Sequence, residues 1–281
     1  MRRRLGSVSG RVVVVTGAAS GIGRATAILL AERGARVALG DIDELGLRAV
    51  AAEVRARGAS EPAAFVVDVT QPDAIERFRA FVDAKLGAAD ALVNAAGVVV
   101  VGSVLATALD DWEHVLAVNL RGPALVCRAF VPAMLARGAG GQIVHVSSAS
   151  AFYTPSELGA YGATKHGLVG LAQALREELE PRGIGVSVVC PGFVDTPIVD
   201  RARFVGEADP EAKRARVKRW VARRGLRPER VARAVVRAVE RGGDIVPVGA
   251  EAWVLRALER AAPGSAARLA GAVRRLLERA R

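Results

Sequence analysis

The sequence predicts an α/β fold in which a parallel sheet is covered on both faces by helices. Three observations lead there. Short apolar runs alternate with longer stretches of helical period along most of the 281 residues, the rhythm of strand–helix–strand units. The first run, Val12 to Thr16, is β-branched throughout, as a buried strand is. Glycines then stand between that run and the next helical stretch, at the turn where such sheets bring backbone close to a ligand.

In chain order, the first strand closes at Gly17 and a helix follows with apolar residues at Ile22, Ala25, Ile28 and Leu29, stopping at Gly34. Between them lies Thr16-Gly17-Ala18-Ala19-Ser20-Gly21-Ile22-Gly23. Glycines here let the backbone approach a pyrophosphate, whose charge then sits at the positive end of the helix. Their spacing is wider than the G-x-G-x-x-G fingerprint. The second strand, Arg36 to Leu39, ends at Gly40-Asp41. A carboxylate there accepts hydrogen bonds from an adenosine ribose and repels a 2′-phosphate, which favours NAD over NADP; the alternative is a turn residue. Ser20, where a basic side chain would help hold that phosphate, points the same way.

A helix from Glu44 to Arg57, a strand from Ala63 to Val69, a helix from Pro72 to Leu86 and a strand from Ala91 to Asn94 continue the alternation. Ligands bind at the carboxyl ends of such strands. Asp68 with Val69, Asn94, Ala95 and Gly97 fall at those ends, with Asp68 suited to an adenine amino group or to capping the next helix. Asp111 to Arg137 reads as one long helix interrupted at Gly122-Pro123, because proline lacks an N–H. Asn119 lies just before the break, as an ordinary polar residue or beside a carbonyl freed to hold a water.

Gln142 to Ser147 is the fifth strand, with Ser148 at its end. Thirteen residues later Tyr161 precedes Lys165 by four, so both lie on one helical face. Such a pair is a surface contact or a proton-moving site. A cation about 4 Å from the phenol, at an effective dielectric of roughly 20, is worth ~4 kcal/mol, enough to bring its pKa toward neutrality. Tyr153 has the anion Glu157 at the same spacing, which works against ionisation. The sixth strand, Gly185 to Cys190, leads into Pro191-Gly192-Phe193-Val194-Asp195-Thr196-Pro197, where backbone groups and the Thr196 hydroxyl suit a carboxamide. A basic lid is expected over about 197–227. A helix from Arg230 to Arg241, a strand from Asp244 to Val248 and two helices around Pro263-Gly264 complete one domain, 1–281, with a helical extension over about 250–281.

Taken together, Thr16 to Gly23, Asp68, Asn94-Ala95-Ala96-Gly97, Asn119, Ser148, Tyr161 to Lys165, and Pro191-Gly192 to Thr196 resemble the short-chain dehydrogenase/reductase family over roughly residues 8 to 250. The resemblance implies a Rossmann-type, seven-stranded, doubly wound parallel sheet. It implies a bound nicotinamide dinucleotide and hydride exchange with an alcohol or carbonyl. Tyr161 would be the general acid/base, Lys165 its stabiliser and ribose ligand, Ser148 the holder of the substrate oxygen, and Asn119 the keeper of a relay water. Gly17, Ser20, Gly21, Ile22, Gly23, Asp41, Asp68, Val69, Asn94, Ala95, Gly97, Pro191, Gly192, Val194 and Thr196 would line the cofactor site. Ala95 departs from the family's second asparagine. Dimers or tetramers built through the long helices starting near Asp111 and Tyr161 are also implied.

Apolar residues at Val98 to Val101, Ala151, Phe152, Tyr153, Phe193 and Val194 suggest a lipophilic secondary alcohol or ketone. A ketoreductase for 3-oxoacyl chains on an acidic carrier protein is the alternative, the basic lid being its docking surface. Residues 201–281 hold 21 Lys+Arg against 9 Asp+Glu, whereas residues 1–200 hold 19 against 20. Only four of the 40 basic residues are lysines, which points to Arg-rich coding as one source of the net charge of +11. Nucleic-acid binding lacks a recognition motif and interleaved aromatics. Leu269, Ala272, Val273, Leu276, Leu277 and Ala280 share one helical face beside arginines, a pattern for packing on the domain or a partner, or for an anionic membrane surface. No run reaches the ~20 apolar residues of a membrane span. Two separated cysteines, Cys127 and Cys190, and three scattered histidines suit a reduced, cytoplasmic protein and give a metal site little support.

Overall fold

A computed structural model describes residues 5–57, 59–206 and 209–261. Seven strands form one parallel sheet: β1 (Val12–Thr16), β2 (Arg36–Asp41), β3 (Ala63–Val66), β4 (Ala91–Asn94), β6 (Gly141–Val146), β7 (Ile184–Pro191) and β9 (Ile245–Val248). Their order is β3-β2-β1-β4-β6-β7-β9. The chain therefore reverses its direction of winding between β1 and β4, which opens a crevice at their carboxyl ends. Two-residue strands β5 (Val100–Val101) and β8 (Arg203–Phe204) pair separately.

Both faces of the sheet are covered because its central strands carry apolar residues on both sides. Val13, Val15, Val37 and Leu39 face α1 (Gly21–Glu32), α2 (Glu44–Ala56) and α8 (Pro228–Arg241). Val12, Val14, Leu92 and Ile143 face α3 (Pro72–Leu86), α5 (Gly122–Arg137) and α6 (Gly159–Leu179). The parallel sheet covered on both faces that the alternation predicts is thus present, in the doubly wound, seven-stranded Rossmann-type form that the family resemblance implies, with α9 (Ala250–Ala261) following its last strand.

Several boundaries differ from the sequence reading. The third strand stops at Val66 because Asp68 folds onto its own turn, accepting hydrogen bonds from the Thr70 N–H and hydroxyl, both at 2.8 Å. The long helix does not break at Gly122-Pro123. It runs as α4 (Leu109–Leu116), a π-helical turn over Ala117–Arg121, and α5. Proline is tolerated in the first turn of α5, where the widened ladder lets Gly122 N–H reach the Ala117 carbonyl. The composite Leu109–Arg137 is long and apolar enough, by composition, to cross a membrane, which the sequence reading did not expect; 56% of its apolar window is buried within the protein. The stretch expected as a lid contains a regular helix, α7 (Pro210–Arg224), capped by the Asp209 carboxylate on Ala212 N–H, with Val221 its buried residue. The stripe from 269 to 280 lies outside the described residues, as does the helix expected after Pro263.

Candidate active site

The crevice at the switch point is a groove of about 320 Å³. Its floor is the turn between β1 and α1. Gly17 has φ of 68°, and a Cβ there would stand 2.6 Å from Ala96 N. A Cβ on Gly23 would stand 2.0 Å from the Gly17 carbonyl oxygen. The glycines therefore permit a closely folded loop that side chains would fill. Ser20 makes no side-chain capping bond to α1, and the first turn holds no acidic residue. The helix's leading N–H groups are thus left to an anion. These features fit the pyrophosphate of a dinucleotide.

Asp41 stands at the end of β2 with each carboxylate oxygen already engaged: Oδ2 accepts from Ala19 N–H at 2.9 Å and Oδ1 from Asp43 N–H at 3.1 Å. It both shapes the glycine turn and lines the groove. Each oxygen keeps lone-pair capacity for a ribose hydroxyl. Gly17, Ser20, Gly21, Ile22, Gly23, Asp41, Asp68, Val69, Ala95, Gly97 and Thr196 all line this groove. Asn94 does not. Its side chain is buried, with Nδ2 3.3 Å from His145 Nδ1, so it ties β4 to β6 within the core. Pro191, Gly192 and Val194 are not among the residues lining the groove; Pro191 ends β7, and in the turn that follows Glu251 of α9 accepts the Phe193 N–H at 2.7 Å.

The catalytic candidates converge at the sheet's carboxyl edge. Lys165 is buried on α6 and donates from Nζ to the Val146 carbonyl at 3.1 Å, while Ser147 Oγ donates to the Lys165 carbonyl at 3.0 Å. These bonds fix α6 against β6. Lys165 Nζ lies 5.4 Å from the centre of the Tyr161 ring. A Cβ on Gly97 would find Asn119 Oδ1 at 3.4 Å and Lys165 Nζ at 3.7 Å, so these three share one corner. Ser148 caps a short turn, accepting the Ser150 N–H at 3.1 Å.

The electrostatics correct the sequence estimate. Burial pushes the Tyr161 phenol up to about 12, and the Ser148 hydroxyl offsets only part of that. Burial also lowers Lys165 to about 8. The neutral-pH phenol assumed an ammonium beside the oxygen in a solvent-like medium. Here the cation sits near the ring with one N–H donated to a main-chain carbonyl, and desolvation dominates. Titrating the phenol's ultraviolet absorbance in the cofactor-free protein, with Tyr161→Phe subtracted, is expected to give a midpoint near 12. A midpoint at or below the ordinary value of 10.0 would contradict this account.

Asn119 is fully buried and clasps one residue of main chain: Val98 N–H donates to its Oδ1 and its Nδ2 donates to the Val98 carbonyl, both at 2.9 Å. Both ends of its side-chain amide are thus engaged. Its carbonyl lacks the partner that a regular α-helix would give it, because Pro123, four residues on, has no N–H. Of the apolar residues expected around substrate, Val98 and Val99 line the groove, while Val100, Ala151 and Phe152 are core. Phe193 is exposed and meets Trp220 edge-on at 4.7 Å. His114 also lines the groove, though nothing in its local sequence marked it, and so does Arg201, from the stretch expected as a basic lid. His145, buried behind the site, is held near 4 by burial first and by Lys165 second, so it is neutral.

The family described as short chain dehydrogenase matches residues 11–204. "Probable oxidoreductase EphD" of Mycobacterium tuberculosis (strain ATCC 25618 / H37Rv) is 40% identical over 257 residues, which is 90% of this chain and 43% of that protein. The chain thus spans less than half the length of that relative. "1-deoxy-11-beta-hydroxypentalenate dehydrogenase" of Streptomyces exfoliatus is 43% identical over 191 residues, 67% of this chain and 69% of that one. Among solved structures, a short chain dehydrogenase/reductase from Burkholderia phymatum in complex with NAD superposes with a TM-score of 0.84 at 29% identity, covering 90% of this chain and 94% of that one.

Proposed function

The chain belongs to the short-chain dehydrogenase family, and from that premise we propose that it exchanges hydride between a nicotinamide dinucleotide, NAD by preference, and a lipophilic secondary alcohol or ketone. The convergence of Ser148, Tyr161 and Lys165 beside a groove floored by glycines carries this reading. When bound, the dinucleotide supplies the hydride acceptor for oxidation and the donor for reduction. Gly17 to Gly23 would hold its pyrophosphate, Asp41 its adenosine ribose, Asp68 and Val69 its adenine, and Thr196 with the Pro191–Val194 backbone its carboxamide. Ala95 and Gly97 shape the wall between, and Asn94 braces that wall from the core through His145.

Within that arrangement Ser148 Oγ donates to the substrate oxygen and orients it. Tyr161 Oη, as phenolate, takes the hydroxyl proton during oxidation and returns it during reduction. A phenol near 12 in the free protein needs added positive charge to ionise, and the Lys165 ammonium together with a bound oxidised cofactor would supply it. Lys165 Nζ would hold the nicotinamide ribose and stabilise the phenolate. A water on the Asn119 carbonyl then passes the proton outward.

NAD is favoured because a 2′-phosphate would meet the Asp41 carboxylate. Asp41→Ala is expected to shift the ratio of NADH to NADPH dissociation constants about tenfold toward NADPH, about 1.4 kcal/mol, read by titration of cofactor fluorescence. Tighter NADPH binding by the unaltered protein would defeat the preference. We place the protein in the cytoplasm as a homo-oligomer, a dimer or tetramer, with residues 1–281 folding as one domain.

A panel of lipophilic secondary alcohols with NAD and with NADP, followed by absorbance of the reduced cofactor, tests the activity; no reduction with any of them, and no reverse reaction on the matching ketones, would sink it. One observation favours a second reading. The exposed basic face of α7, with Arg216, Arg219, Arg223 and Arg224, suits an acidic carrier protein presenting 3-oxoacyl chains. Rates on free against carrier-linked ketones separate the two.

A further inference from the structure

The groove has a roof, and one ion pair joins it to the opposite rim. The segment from Thr196 to Phe204 leaves the end of β7 and crosses above the glycine turn, with Thr196, Ile198 and Arg201 all facing the groove. On one side it is held by main chain: Arg203 N–H donates to the Val99 carbonyl at 3.2 Å and Val205 N–H to the Val101 carbonyl at 2.9 Å. On the other side the Arg201 guanidinium donates to Asp43 Oδ2 at 3.0 Å, a contact 158 residues apart in sequence. Asp43 is itself fixed. Its Oδ1 accepts the Gly46 N–H at 2.9 Å and so caps α2, two residues beyond Asp41.

We propose that Arg201 and Asp43 form a clasp that retains the dinucleotide, closing the roof onto the rim that carries the adenosine. The proposal rests on the dinucleotide reading of this groove and adds a positioning pair to it. Asp41 and Ile42 line the rim beneath Asp43, and the glycine turn lines the floor. A ligand lying along that floor therefore leaves only when the roof lifts or the ligand threads beneath it. The pair's side chains are 56% and 32% exposed, so water and salt reach it. An exposed pair of this kind is weak, which suits a contact that must open in every cycle.

The test is dissociation of NADH from the full-length protein, followed in a stopped-flow instrument by displacement with excess NAD. Arg201→Ala is expected to release NADH about fivefold faster, the factor an exposed pair near the top of its range can supply. Asp43→Asn, which keeps a good capping residue, is expected to match it, and the double variant to add nothing. Arg201→Lys should restore much of the retention, which loss of packing alone would not allow. Raising ionic strength from about 0.01 to about 1 M should bring the wild-type rate toward that of the variants, as screening of an exposed pair requires. Unchanged release in Arg201→Ala overturns the clasp while leaving the oxidoreductase reading intact. A fast Arg201→Ala with an unchanged Asp43→Asn overturns it too, because Arg201 would then act on the ligand itself. Failure of the wild-type protein to bind NADH at all removes both.

Discussion

Tyr161→Phe is expected to lower turnover about 10³-fold while dinucleotide binding stays within about threefold. The substitution removes one oxygen from a half-buried ring on α6 and leaves the packing of that ring unchanged. Lys165 would remain bonded to the Val146 carbonyl, so the cofactor side of the site keeps its frame. What is lost is the group proposed to move the substrate proton. Steady-state rates on the best alcohol of the panel, with NADH binding measured in parallel, check both halves. An active variant would reassign the acid/base, and a variant that no longer binds NADH would mean that the phenol serves the fold of the site rather than its chemistry.

Gly23→Ala is expected to destabilise the protein by about 3 kcal/mol, the upper part of the overpacking range. Its new methyl group would stand 2.0 Å from the Gly17 oxygen and 3.2 Å from Ala18 N. These are backbone atoms of a turn whose own glycine abuts Ala96, so none can give way by changing rotamer. For a domain of this size the loss corresponds to a fall in melting temperature of roughly 6–12 °C. Because the same turn receives the pyrophosphate in the proposed site, NADH binding is expected to weaken at least about tenfold, a loss of about 1.4 kcal/mol. Gly170→Ala is the control. Within one protomer a Cβ there meets nothing within 4 Å, and alanine in a helix interior is worth up to about 1 kcal/mol over glycine, so the comparison is made with the oligomeric state of each protein checked by sedimentation. Calorimetry on the three proteins should order them Gly170→Ala, wild type, Gly23→Ala.

The strands were legible because burial on both faces demands β-branched runs such as Val12–Thr16, a local signal. Tyr161 and Lys165 were legible because helical spacing is local too. The contacts that were not legible are those between distant segments. Arg201 meets Asp43 across the groove, His114 reaches the groove from α4, and Asn94 turns inward to His145; none of these leaves a periodic trace. The two-residue strands β5 and β8 are too short to carry a pattern. The phenol's ionisation was misjudged for a different reason. Spacing places a cation near a ring, but it cannot reveal that the cation's proton is donated to Val146 or how much water the fold removes from both.

The short ladder between β5 and β8 makes the substrate side of this protein a poor interchangeable cassette. Val100–Val101 pairs with Arg203–Phe204, and the preceding Val98 is the residue whose main chain Asn119 grips on both sides. Asn119 in turn donates to Thr164, the neighbour of Lys165. A loop grafted between Thr196 and Phe204 to change substrate range therefore pulls on a chain of contacts that ends at Lys165. Engineering of this scaffold should keep the β8 register and vary the residues on either side of it, since a library that alters the length of that segment changes catalysis and selectivity together.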